Sequence, residues 1–234
     1  DLDKIAYGKR MLADLDVCIR VTDDYRQTVS ANPRLYLALQ RVPHKGATTF
    51  YEACLFLIIC IYFLRTFQAS HLGLGRFDQY MYPFYKKDID AGKITLEQAQ
   101  ELVDCVWVKL NSFTKVRDDA SAQGFAGYSL FQNLIAGGQD ILGNDATNDL
   151  SFMCIQASMH VHLPQPSLSV RVWNGTPHEF MLRAAEVTRT GVGLPAYYND
   201  EVIIPSLMSR GVTLEDARNY NIIGCVEPQA PAKT

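Results

Sequence analysis

The sequence has no C-x-x-C pair, no internal repeat, no cluster of like charges and no stretch of about 20 apolar residues of the kind a membrane span needs. Each absence removes a class of protein. The six cysteines, at positions 18, 54, 60, 105, 154 and 225, are too dispersed for a small disulfide scaffold or a zinc site. They are expected to be reduced thiols, five of them small apolar core residues, with Cys225 set apart. The longest apolar run, Ala53 to Leu64, covers 12 residues and meets Arg65, which predicts a buried helix. The 22 Lys and Arg are scattered against 25 Asp and Glu, for a net charge of −3. That balance carries no footprint for nucleic acid or any other polyanion. The chain opens on Asp1-Leu2-Asp3-Lys4, which reads as helix and not as a secretory signal. A cytoplasmic location is expected.

What is present is ample core material: 234 residues, 48% of them apolar. Residues 1–125 read as mainly helical. Within them lie a helical hairpin broken at Ala31-Asn32-Pro33, an all-round apolar and deeply buried helix opened by Thr48 and Thr49, a loop at Gly73 and Gly75, and a helix from Thr95 to about Asn111. Residues 126–234 alternate strands and helices. Tyr128 to Ala136 reads as a strand, Asp145 to His160 as a helix, and Ser167 to Trp173 as a half-buried strand of period two. Thr176-Pro177-His178-Glu179 has the form of a capping box. Leu194–Tyr198 and Tyr220–Gly224 are further strands, separated by a helical stretch over Glu201–Arg218. The pattern is α/β, a class whose chemistry sits on loops leaving strand ends.

Cys225 stands on such a loop, in Gly224-Cys225-Val226-Glu227-Pro228. Gly224 allows a sharp turn or close approach, and Pro228 is expected to end the strand. Cys225 and Glu227, two apart in extended backbone, would project to one side. Spacing alone leaves two readings open: a thiol and a carboxyl facing one space, or a buried cysteine beside a solvated glutamate.

The sequence resembles a known family here. Gly224-Cys225-Val226-Glu227-Pro228-Gln229, with Lys233-Thr234 behind it, resembles the cysteine loop of the glycyl radical dehydratases and lyases. Gly75 to Pro83, Phe131 to Ile135, Leu163 to Ser169 and Leu194 to Glu201 match further stretches in the same order, so the resemblance covers residues 46 to 234. It implies the central part of one ten-stranded α/β barrel over residues 1–234, with surrounding helices. Cys225 would be the thiyl-radical residue and Glu227 the general base of an elimination, both aimed into one dry cavity. The glycyl radical itself would lie in a C-terminal domain outside these residues, installed by a radical S-adenosylmethionine activase, and these residues alone would not turn over. A small hydroxylated substrate, a homodimer and no resident metal are also implied. Pyruvate formate-lyase proper carries two adjacent cysteines where this chain has Cys225-Val226, which favours elimination over acyl transfer.

Two departures bear on the substrate. A His-Ser pair that contacts substrate hydroxyls in the diol and glycerol dehydratases is replaced by Ser70-His71, in reverse order. The stretch from Lys45 to Gly75 resembles formate acetyltransferase-like members instead. Ser70 and His71 stay candidates for substrate binding, as does Phe131, which matches an aromatic pocket position in choline trimethylamine-lyase. His160-Val161-His162 shows no obvious carboxylate partner for a metal site, and Arg171 and Trp173 read as structural.

Overall fold

The computed structural model describes residues 2–67, 72–113, 119–125 and 132–231, in two compact units, Asp1–Gln68 and Ala69–Thr234. The first unit holds three helices, α1 (Leu2–Thr28), α2 (Pro33–Leu39) and α3 (Phe50–Phe67), packed on one another. The break between α1 and α2 is a cap. Asn32 accepts the Leu35 N–H at 3.1 Å, and Pro33 supplies a preset first-turn φ. At the start of α3, Thr49 Oγ1 accepts the Glu52 N–H at 3.2 Å. The Glu52 carboxylate reaches back to the Thr48 N–H at 2.7 Å. The deep burial expected of α3 is corrected: Phe50, Ala53, Cys54 and Ile61 are buried, while Leu55 to Ile59 are half-exposed. Among the described residues the helix packs on α1 and α2 along one side.

The second unit opens with a strand, β1 (Leu72–Gly73), where a loop was expected. Four helices follow: α4 (Phe77–Tyr80), α5 (Tyr82–Asp90), α6 (Leu96–Ser112) and α7 (Asp119–Phe125). Then come β2 (Gln132–Gly137), α8 (Asp149–Val161), β3 (Ser167–Val172), α9 (His178–Arg189) and β4 (Ala196–Asn199). The unit ends on α10 (Asp200–Met208), α11 (Leu214–Arg218) and the strands β5 (Asn221–Ile223) and β6 (Glu227–Gln229). Thr95 and Gln98 form a reciprocal capping box on α6, as do Asn148 and Ser151 on α8. The box expected at Thr176 does not form. Its hydroxyl accepts the Trp173 N–H at 2.8 Å instead, and α9 starts without a side-chain cap.

Strands β1 to β4 form one parallel sheet in sequence order, with Leu134 opposite Leu168 and Val170 opposite Tyr197. Helices cross over between consecutive strands, the arrangement parallel pairing requires. β2 is buried at every position and β3 is buried apart from its ends, so the half-buried strand expected over 167–173 is corrected to one covered on both faces. Alternation sorts the side chains. Ile135, Ser169, Arg171 and Tyr198 share one face, called inner here. On that face Ile135 and Tyr198 join Ile204, Leu207, Ala217, Tyr220 and Ile222 in a single apolar cluster. The sheet is thereby fastened to the residues that lead into the cysteine loop. Two of the five cysteines expected in the core are corrected: Cys105 is exposed and Cys60 half-buried. Among the described residues no helix is long and apolar enough to cross a membrane.

Candidate active site

The loop at residue 225 is the tip of a β-hairpin. β5 and β6 pair antiparallel, Ile223 opposite Glu227 and Ile222 opposite Pro228, leaving Gly224-Cys225-Val226 as the connecting turn. Gly224 has φ +62°, a left-handed value that glycine adopts without a Cβ penalty. Two expectations change. Pro228 does not end the strand but lies within β6, which among the described residues pairs on one side only, so its missing N–H is tolerated. Cys225 and Glu227 are not neighbours on one extended strand, since the first sits on the turn and the second starts the return strand.

The base of the hairpin is held from below by a buried charge cluster. Arg171 and Asp200, both fully buried, pair through two hydrogen bonds at 2.7 and 2.8 Å. Asp200 also accepts the Tyr220 hydroxyl at 2.9 Å and the Gln139 N–H at 2.9 Å, so four donors converge on one carboxylate. The Arg171 guanidinium lies 4.1 Å from the centre of the Tyr220 ring and donates to the Tyr220 carbonyl at 3.4 Å. Arg76 reaches the Asn219 side chain at 3.4 Å and the Gly137 carbonyl at 3.2 Å. Burial, with Arg171 beside it, pushes the Arg76 guanidinium down to about 10. Gly73 completes the seat. A Cβ there would come within 2.8 Å of the Ile222 carbonyl, so the hairpin lies directly against β1.

At the tip, Cys225, Val226 and Glu227 are all exposed. The Glu227 carboxylate folds back and accepts the Val226 N–H at 3.0 Å. Cys225 is raised above the ordinary thiol range, first by desolvation and then by the negative charge of Glu227. The thiol and the carboxylate therefore feel each other although the turn separates them. The described residues seat the hairpin on the four-stranded sheet and leave its tip exposed; the dry cavity stays an expectation for the full-length barrel.

Because Glu227 disfavours the thiolate, Glu227→Gln is expected to lower the thiol pKa and speed alkylation of Cys225. At pH 8 the rate should rise, the direction that removing the Glu227 charge dictates. Iodoacetamide labelling of the full-length protein, followed on the Cys225 peptide by mass spectrometry, measures it. An unchanged or slower rate would separate the two groups.

Ser70, His71 and Phe131, the three residues singled out for substrate binding, lie outside the described residues. The pairing not foreseen for His160 is present: Asp104 on α6 meets its Nδ1 at 2.7 Å, and Gln156 its Nε2 at 2.7 Å. This clamp joins α6 to α8, away from the hairpin. Sequence reasoning missed Asp200 and Tyr198, whose hydroxyl donates to the Cys225 carbonyl at 3.3 Å. The signal for Tyr198 was its place two residues after Ala196 in a strand, opposite Arg171 on the same face.

A family model described as pyruvate formate lyase-like matches residues 34–234. Among curated proteins, the isethionate sulfite-lyase of Desulfovibrio desulfuricans is 35% identical over 195 residues, which cover 82% of this chain and 24% of that protein. The (2S)-3-sulfopropanediol dehydratase of Klebsiella oxytoca is 38% identical over 161 residues, covering 67% and 19%. Of solved structures, one on 1,2-propanediol dehydration in Roseburia inulinivorans superposes with a TM-score of 0.82 at 55% identity, covering 91% of this chain and 28% of that one. The glycerol-bound B12-independent glycerol dehydratase of Clostridium butyricum gives 0.79 at 52% identity, covering 92% and 28%. This chain spans about a quarter of the length of the curated relatives it matches.

Proposed function

Given that the chain belongs to the pyruvate formate lyase-like family of glycyl radical enzymes, we propose that the full-length protein is a glycyl radical dehydratase or lyase, with Cys225 as hydrogen-atom carrier and Glu227 as general base. The observation that carries this reading is the hairpin, which sets the Cys225 thiol on the turn and the Glu227 carboxylate at the start of the return strand, two residues apart.

A hydrogen-atom carrier must keep its S–H bond, as an ordinary thiol does at neutral pH. The glycyl radical, when installed, supplies the unpaired electron by taking the hydrogen atom of the Cys225 thiol. Cys225 then takes a hydrogen atom from the substrate carbon that bears a hydroxyl group. A hydroxyl on a radical carbon is far more acidic than an ordinary alcohol, which brings its proton within reach of a carboxylate. Glu227 accepts that proton as the neighbouring carbon–heteroatom bond breaks and the leaving group departs with the electron pair. The Cys225 thiol returns its hydrogen atom to the product carbon. Val226 occupies the position next to the thiol, so no second sulfur is at hand to carry an acyl group.

The identities of 55% and 52% to the proteins of the diol and glycerol structures make small vicinal diols the first substrates to try. The activase and a second copy of the chain are the partners this reading entails. Its test is anaerobic activation of the full-length protein by a radical S-adenosylmethionine activase, followed by assays on propane-1,2-diol, glycerol, choline, isethionate and pyruvate. Aldehyde formed from one of the hydroxylated compounds is the expected result. Formate released from pyruvate and coenzyme A would replace elimination by acyl transfer.

A further inference from the structure

Tyr198 links the sheet to the cysteine itself. It stands on the inner face of β4, opposite Arg171, and its ring is buried in the apolar cluster with Ile135 and Ile222. Its hydroxyl emerges at the top of that cluster and donates to the Cys225 carbonyl at 3.3 Å. The anchors at Tyr220, Asn219 and Ile222 hold the base of the hairpin, and the Val226–Glu227 bond is internal to the turn. Tyr198 reaches across to the tip. Among the described residues, little else fixes the rotation of the peptide planes in this three-residue turn, whose glycine takes φ +62°.

We propose that Tyr198 is a positioning residue for Cys225: by holding the Cys225 carbonyl it fixes the backbone at that residue and, through it, the direction in which the thiol points. The inference rests on Cys225 being the hydrogen-atom carrier. Such a carrier must meet two partners in turn, and each transfer requires the sulfur within contact distance of the hydrogen it takes. Misplacement by about 1 Å can cost about 100-fold in rate. The phenol is equipped to remain a donor. Burial raises its pKa above the ordinary phenol range, partly opposed by the Ser169 hydroxyl, and the Glu227 charge adds a smaller push in the same direction as burial.

The experiment uses Tyr198→Phe in the full-length, anaerobically activated enzyme, which keeps the ring in its cluster and removes the hydroxyl alone. Glycyl radical is counted by electron paramagnetic resonance, and turnover is expressed per radical. The substrate is propane-1,2-diol, or the compound of the panel above that the wild-type enzyme turns over. The expected result is an unchanged radical yield, a kcat per radical lower by about tenfold, and a KM within about twofold, in the range that small misplacements produce. The deuterium isotope effect on kcat, measured with substrate labelled at the hydroxyl-bearing carbon, should rise as hydrogen abstraction becomes limiting. A purely structural contribution would lower radical and turnover together and leave the isotope effect unmoved. That result, or full activity per radical in Tyr198→Phe, overturns the role of Tyr198 while the function stands. A wild-type enzyme that carries the radical but eliminates from none of the compounds overturns the functional reading, and this inference with it.

Discussion

Cys225→Ser is expected to abolish turnover of the activated full-length enzyme, to below detection, while the glycyl radical still forms. Serine preserves the size of the side chain at the exposed tip of the hairpin, so the Tyr198 bond to the backbone carbonyl and the pairing of β5 with β6 have no reason to change. The chemistry changes completely. An O–H bond is much stronger than an S–H bond, so the serine hydroxyl cannot give its hydrogen atom to a stabilised carbon radical. Radical content from electron paramagnetic resonance and product formation on the same sample separate the two steps. Glu227→Gln should split them differently: the radical forms, hydrogen abstraction proceeds, and elimination slows by about 100- to 10,000-fold, the usual contribution of a positioned base. Residual activity of the serine variant above the background of the activase alone would remove the thiol from the mechanism.

The second large effect is on stability. Asp200→Ala is expected to destabilise the second unit by about 3–5 kcal/mol, because it leaves the fully buried Arg171 guanidinium without its counter-charge. It also strips the acceptor from the Tyr220 hydroxyl and the Gln139 N–H. The loss should be felt at the hairpin, since Arg171 and Tyr220 form its base. Hydrogen exchange in the full-length protein, read on peptides spanning residues 167–172 and 219–223, measures it locally. Glu186→Ala is the control. It breaks a pair with Arg183 of 3.1 Å, with both side chains nearly half exposed, and should cost under about 1 kcal/mol. If the two variants exchange alike, the buried pair is not what seats the hairpin.

Local signals predicted the element types well where the cause is local. Thr95 and Gln98, Asn32 with Pro33, and the apolar periodicity between residues 96 and 112 place their helices without help from the rest of the chain. Where the cause is a distant partner, the reading failed. Leu72-Gly73 is a strand only because Gln132 and Asn133 lie alongside to pair with it. Thr176 lost its capping role because the Trp173 N–H, turned back by the chain, competed for the same hydroxyl. Pro228 looked like a stop because its missing N–H forbids a central strand, and it is tolerated because β6 pairs on one side only among the described residues.

The same division runs through the candidate site. By itself the sequence determined the α/β class, the family and the two candidate residues of the cysteine loop, since turn chemistry, hydrophobic period and a matched loop are all written within a few neighbouring positions. Only the tertiary structure decided that the pair straddles a hairpin turn, that Arg171 and Asp200 seat that hairpin from 29 residues apart, and that Tyr198 reaches its tip from 27 residues away. Those contacts join residues that the chain keeps apart and that folding, by burying both faces of the sheet, brings together.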